Sequence, residues 1–149
     1  KCCLEAIETK DVDTLLKFLC LKATEILGVD VIKIVLSKNT FSGNKIENCI
    51  LKSDKEIVTF SQKVGITKEN TVRLKNVVNG KKREDKEIIA KEESTKSEAI
   101  ISLFFNNNFK GLVFLESADK STFSVDQSTD YLDFFAQVIS KHMESLLLK

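Results

Sequence analysis

The chain has 149 residues, 42% of them hydrophobic and 30% charged, and its 23 Lys and Arg nearly balance 22 Asp and Glu for a net charge of +1. This length is typical of one domain with its own core, and the composition excludes an intrinsically disordered protein. The balanced charge attracts neither nucleic acid nor an anionic membrane, and no apolar run approaches the ~20 residues of a membrane span, so we expect neither partner.

The cysteines and the first residue bear on the cellular context. The spacing of the four cysteines matches no zinc or disulfide framework, so we expect reduced thiols in a cytoplasmic protein. The chain begins with Lys1 rather than Met. We interpret residues 1–149 as a single domain and leave open that it is a fragment lacking an N-terminal helical region.

The first third of the chain predicts helices followed by strands. Residues 2–8 have the pattern of a helix end, and 11–27 predict a second helix that stops at Gly28. Residues 29–37 and 45–52 predict strands, separated by a turn signal at 42–44.

The middle of the chain is less regular. Residues 53–66 allow a helix or a strand, and the capping box of Ser53 and Glu56 favours a short helix. Residues 71–78 predict a strand because they are rich in β-branched side chains. Residues 80–96 carry dense charge of both signs, which is typical of a solvated loop; a flap over a pocket is the alternative.

The last third predicts a hairpin and a long helix. Residues 98–105 and 109–117 form two arms that are apolar on both faces, as in central strands of a covered sheet. Residues 126–148 predict a helix with a capping box at Ser124 and Gln127. Terminal helices that flank mainly antiparallel strands predict an α+β fold with those helices on one face of the sheet.

Three stretches resemble a GAF domain: LLKFLCLKATEILGVDVIKIVL, SEAIISLFFNNNFKGLVFLES and ADKSTFSVDQSTDYLDFFAQVISKHMESLL. The last two are similar to the bacterial GAF-like family known as domain of unknown function number 484, in which a Gly-Leu-Leu-Ala-Leu-Gly-Ser-like strand leads to a Phe and a Gly-Thr-Asp-Phe-Leu-like helix start. Glu116 and Ser128 stand where that family often has Gly. The matching residues are Gly111, Leu112, Ser117, Asp119, Phe123, Thr129, Asp130 and Leu132.

The resemblance covers about two thirds of the chain and covers residues 39–96 only loosely. It implies a central sheet of five or six antiparallel strands, terminal helices on one face, and a small-molecule pocket on the other. It also implies pairing through the terminal helices. The family has no established reaction, so the resemblance implies a regulatory or sensory module.

The sequence contains no pattern typical of catalysis. His142, the single histidine, lies in the last predicted helix, and the chain has no HExxH, G-x-S-x-G, CxxC, GxGxxG or P-loop. We therefore predict that the protein is not an enzyme and requires no cofactor or metal.

Alternation along the strands predicts a ligand site. Ile32, Ile34 and Leu36 share one apolar face, which we assign to the terminal helices. The opposite face mixes apolar and polar side chains, as small-ligand pockets do. Its predicted ligand-binding residues are Lys33, Arg73, Ser102, Phe104, Phe114 and Glu116. The alternative is a plain covered face with a partly exposed ion pair between Lys33 and Glu116.

The terminal helices have more apolar residues than one sheet face needs. Such surplus predicts an interface, and we expect a homodimer formed by these helices. The predicted interface residues are Leu4, Ile7, Phe18, Tyr131, Phe134 and Leu146. The alternatives are a last helix buried within its own monomer and a ligand-free scaffold whose helices contact another protein.

Overall fold

The secondary structure follows the predicted order. The computed structural model describes residues 2–39, 41, 48–67, 71–76, 96–105, 108–119, 122–123 and 130–147. The helices are α1 (Cys2–Ile7), α2 (Val12–Lys17), α3 (Ala23–Leu27), α4 (Asp54–Val64) and α5 (Asp130–Leu147), and a π-helical turn (Phe18–Lys22) joins α2 to α3. The strands are β1 (Val31–Ser37), β2 (Cys49–Lys52), β3 (Val72–Asn76), β4 (Ser97–Phe105) and β5 (Asn108–Ser117).

Some predictions fall outside the described residues. These are the turn signal at 42–44, the charged segment except for its last residue, and the capping box of Ser124 and Gln127. Within the described residues every predicted strand is present, although β1 begins at Val31, β2 at Cys49 and β3 at Val72, a few residues inside the predicted starts. The last predicted helix is helical over Asp130–Leu147.

The helix predicted over 11–27 has a capping residue at each end, Asp11 and Gly28. The Asp11 carboxylate accepts a hydrogen bond of 2.7 Å from the Thr14 N–H. Gly28 has φ 71° and ψ 34°, the left-handed conformation that glycine adopts without a Cβ clash. The prediction is confirmed, and the structure adds the π-helical turn in the middle, where Leu19 and Cys20 are buried.

The ambiguous segment at 53–66 is a helix. Ser53 and Glu56 form the predicted capping box, with 3.2 Å between Glu56 N and Ser53 Oγ and 3.2 Å between Ser53 N and Glu56 Oε1. Helix α4 ends at Gly65, whose φ is 79°. Its buried apolar residues are Ile57, Phe60 and Val64, at the spacing of one helix face.

The sheet has five strands in the order β2-β1-β5-β4-β3. Strand β1 pairs antiparallel with β5, β5 with β4, and β4 with β3, whereas β1 pairs parallel with β2. The expectation of a mainly antiparallel sheet is thus met at three ladders, and the β1–β2 ladder makes the sheet mixed.

The two faces of the sheet pack against different helices. On one face, Ile34, Leu103 and Leu115 belong to a core shared with α1, α2, α3 and α5. On the other face, Ile100 and Leu112 belong to a smaller core with α4. The predicted assignment of strand faces to the terminal helices is therefore confirmed, and α4 covers the middle of the opposite face.

Candidate functional site

Three ionisable side chains lie buried on the α4 side of the sheet. Lys33 Nζ lies 3.5 Å from Glu116 Oε2, and the two side chains are 8% and 0% exposed. Glu98 is also 0% exposed, and its Cα lies directly opposite that of Glu116 in the β4–β5 ladder. We call Lys33, Glu98 and Glu116 the buried ion cluster.

The strand register brings this cluster together. Glu116 lies opposite Val31 on β1 and Lys33 lies opposite Phe114, so Lys33 and Glu116 are diagonal neighbours. Directly opposed residues on one face have Cβ atoms about 4.5–5.5 Å apart, so two carboxylates at such positions repel each other. The Lys33 ammonium reduces that repulsion, because Coulomb forces are stronger away from water. The arrangement is more deeply buried than the partly exposed ion pair offered as the alternative.

Glu98 is absent from the predicted site residues. The predicted hairpin contained the signal that would have found it, because its two arms fix which residues are opposed. Extending the strand face of Ile100 and Ser102 back by one alternation reaches Glu98, and the register then places it beside Glu116.

Phe114 lies in the smaller core rather than at an open surface. Its side chain is 0% exposed, and its ring centroid lies 5.7 Å from that of Phe60 on α4. Val35, Ile100 and Leu112 complete the contact with this helix. The centre of the predicted pocket is thus filled by α4, as the covered-face alternative expects.

Arg73 lies apart from the buried ion cluster. Its side chain is exposed on β3, opposite Ile100 in the β3–β4 ladder. The Nη1 atom lies near the end of α4, 4.0 Å from where a Cβ on Gly65 would stand.

Ser102 and Phe104 line a groove at the outer edge of β4. Ser102 N and Ser102 Oγ both lie 3.0 Å from the Thr71 carbonyl oxygen, and Phe104 N lies 3.2 Å from Ser140 Oγ on α5. The Phe104 ring is half-buried against Phe109, with 5.5 Å between the centroids. We call this concave surface, lined jointly by β4, Thr71 and α5, the β4–α5 groove.

The six predicted ligand residues therefore occupy four places: the buried ion cluster, the core under α4, the exposed side of β3, and the β4–α5 groove. Alternation alone predicted a common face, but it could not show that a helix would divide that face.

Several large apolar side chains on the terminal helices are exposed. Leu4 is 64% exposed and Ile7 47% on α1, and Tyr131 is 53% exposed and Phe134 58% on α5. We call these four residues the outer helix surface. Helices α1 and α5 contact each other, so the four residues belong to neighbouring helices.

Two predicted interface residues lie elsewhere. Leu146 is only 8% exposed and belongs to the core beneath the terminal helices, so its side chain offers little surface to a second copy. The last turns of α5 point this residue inwards because it continues the stripe of Ile139 and Met143. Phe18 is half-buried and packs against the same core.

The imidazole of His142 and the thiol of Cys49 lie where neither is prepared for catalysis. His142 Nε2 lies 2.9 Å from the Thr9 carbonyl oxygen and 3.1 Å from Thr9 Oγ1. The imidazole therefore connects α5 to Thr9, two residues after the end of α1. Burial, together with the nearby charge of Asp13, raises the pKa of the Cys49 thiol to about 11. A thiol with so high a pKa is a poor nucleophile at neutral pH.

A polar cluster closes the other end of the sheet. The Ser37 hydroxyl hydrogen-bonds to the Asp54 carboxylate, which also lies 3.2 Å from Lys110 Nζ and 3.3 Å from Asn39 Nδ2. The hydrogen bond from Ser37 holds the pKa of Asp54 below its usual value, assisted by Lys110 and Asn39 and opposed by burial. The cluster joins β1, α4 and β5 and is a structural contact.

Neither a candidate metal site nor a candidate membrane span lies within the described residues. In that part of the chain, no three His, Cys, Asp or Glu side chains lie close enough together to bind a metal ion. None of the helices described is both long enough and apolar enough to cross a bilayer.

The chain matches no protein-family model, and a search of curated proteins gave no match.

Proposed function

We propose that this chain is a non-catalytic, GAF-like regulatory module that pairs with a second copy of itself through the outer helix surface. The observation that supports the proposal is the exposure of Leu4, Ile7, Tyr131 and Phe134 on two helices that contact each other. Single exposed apolar residues are common in monomers, whereas several large ones on two adjoining helices favour an interface.

The spacing of these residues supports the proposal further. Leu4 and Ile7 are three residues apart on α1, and Tyr131 and Phe134 are three apart on α5. Residues at this spacing lie on the same side of a helix. Aromatic residues are also enriched at interfaces, where each buries a large apolar area.

Light scattering coupled to size-exclusion chromatography tests self-pairing over a dilution series. We expect the wild type to be dimeric at high concentration and Phe134→Lys to be monomeric at the same concentration, because a buried lysine would oppose the contact. Val58→Lys is the matched control, because Val58 is an exposed apolar residue, 38% accessible, on α4. A wild type that stays monomeric, or a Phe134→Lys variant that stays dimeric, would overturn the proposal.

A second candidate function is small-molecule binding beside the buried ion cluster. The observation that favours it is the burial of two glutamate side chains and one lysine side chain on the sheet face away from the terminal helices. Buried charges interact strongly with a charged or hydrogen-bonding ligand group. A thermal-shift screen on wild type, Lys33→Ala and Glu116→Ala tests this function. Ligands that raise the melting temperature of both variants as much as that of wild type would contradict it.

A further inference from the structure

The β4–α5 groove exists because β4 is longer than the strand beside it. Strand β4 has 9 residues and β3 has 5, and their ladder ends at the pair Val72 and Ile101. Within the described residues, no strand pairs with β4 beyond Ile101 on that side, and α5 lies against this part of β4 instead. The space between them has a volume of about 250 Å³.

Hydrogen bonds hold the walls of the groove in place. The Thr71 carbonyl oxygen accepts a hydrogen bond from the Ser102 hydroxyl, and the Thr71 hydroxyl lies 3.0 Å from the Asp133 carboxylate of α5. Ser140 accepts from the Phe104 N–H. These contacts leave acceptor lone pairs on the Ser102 hydroxyl and do not use the Ser140 O–H. A site whose groups are already ordered loses less conformational entropy when it binds a ligand.

The lining combines two opposite charges with apolar surface. Lys141 and Glu144 line the groove on the α5 side, and Phe104 and Ala136 supply apolar lining. Residues three apart on a helix have Cβ atoms about 5–6 Å apart. Their side chains therefore begin close together on α5, and they bring one ammonium and one carboxylate to a groove that also has an apolar wall.

The volume limits the size of the ligand. Pockets for drug-sized ligands measure roughly 300–1,000 Å³, so a groove of about 250 Å³ fits a smaller molecule. A ligand with one charge would be attracted by one of Lys141 and Glu144 and repelled by the other. A small zwitterion would be attracted by both.

We propose that the β4–α5 groove binds a small zwitterion with an apolar body, of the size of an aromatic or branched amino acid. Its carboxylate binds at Lys141 and its ammonium at Glu144, while its apolar body lies against Phe104 and Ala136. The hydroxyls of Ser102 and Ser140 supply further hydrogen bonds. This inference does not depend on self-pairing, because the groove is formed within one copy of the chain.

Isothermal titration calorimetry with three probes of matched body tests the proposal: L-phenylalanine, 3-phenylpropanoate and 2-phenylethylamine. We expect L-phenylalanine to bind at least about fivefold more tightly than either probe that has a single charge. Each of those probes lacks one charge-assisted hydrogen bond, and losing such a bond raises the Kd by at least about this factor. Lys141→Gln and Glu144→Gln should each weaken L-phenylalanine binding by a similar factor.

Lys22 and Glu25 provide a matched control. They are an exposed Lys and Glu at the same spacing on the N-terminal helices, so Lys22→Gln and Glu25→Gln should leave the Kd unchanged. NMR amide shifts on adding L-phenylalanine should be largest at Phe104 and Ser140. Absence of binding at millimolar concentration, equal binding of the three probes, unchanged binding in the Lys141 and Glu144 variants, or largest shifts elsewhere would each overturn the proposal. Light scattering of Phe134→Lys reports on self-pairing separately.

Discussion

Replacement of Lys33 by Met tests the buried ion cluster most directly. The variant retains a side chain of similar length but removes the ammonium that lies 3.5 Å from Glu116, which is 0% exposed. Removing one partner of a buried ion pair costs about 3–5 kcal/mol, because the remaining charge stays in a medium that solvates it poorly. Glu98, directly opposite Glu116, adds repulsion between carboxylates that the ammonium no longer reduces.

The free energy of unfolding of a domain this size is about 5–15 kcal/mol, so the expected loss is a large part of it. It corresponds to a melting temperature lower by about 6–20 °C. Urea unfolding at neutral pH, followed by circular dichroism, measures it. The double variant Lys33→Met/Glu116→Leu should be less destabilised than Lys33→Met, because both charges are then replaced by apolar groups.

Lys52→Met is the control for this experiment. Lys52 forms an ion pair of 4.0 Å with Glu56, but the two side chains are 29% and 53% exposed, so the loss should be below about 1 kcal/mol. If Lys33→Met costs no more than Lys52→Met, then water reaches Lys33 and Glu116, and the description of this cluster as buried is wrong.

Three further predictions concern other parts of the molecule. Gly111→Ala should lower the free energy of unfolding by about 1–3 kcal/mol, because the new Cβ would lie 2.9 Å from the Val35 carbonyl oxygen; an unchanged thermal unfolding curve would contradict this. The pKa of Asp54 is below its usual value of 3.8, so its stabilising contacts are present above that pH and are lost as the pH falls through the folded-state pKa. Asp54→Asn should therefore be less stable than wild type in urea at neutral pH, and the difference should shrink in acid; a difference independent of pH would refute the assignment. The Cys49 thiol, with its pKa of about 11, should react with iodoacetamide at about pH 8 more than about tenfold more slowly than free cysteine. Peptide mass spectrometry measures this rate, and a rate equal to that of free cysteine would show that the thiol is not held protonated.

Local patterns predicted much of the fold. The end of the second predicted helix at Gly28 and the start of α4 at Ser53 each depend on a residue and its neighbours within one turn. On β4, Ile101 and Leu103 face the terminal helices and Ile100 faces α4, as the alternation of side chains along a strand predicts. These features were predicted correctly because their causes lie within a few residues of each other.

The candidate sites depended on contacts that local patterns do not report. The buried ion cluster was partly predictable, because strand alternation predicts Lys33 and Glu116 as site residues. The position of Glu98 beside Glu116 depends on the register of the hairpin. The β4–α5 groove was not predicted as a site. Alternation assigns Ser102 and Phe104 to the opposite face, whereas Ser140, which accepts from the Phe104 N–H, lies 36 positions away on another element.

The sequence by itself determined the α+β class, the order of helices and strands, and which strand residues face the terminal helices, because periodicity and capping are set by neighbours in the chain. Only the tertiary structure decided that β2 runs parallel to β1, that α4 covers the middle of the opposite face, and that β4 extends past β3 to meet α5. The physical reason is that these arrangements depend on contacts between residues far apart in sequence. Their free energy reflects the packing of the whole core rather than the preference of any one segment.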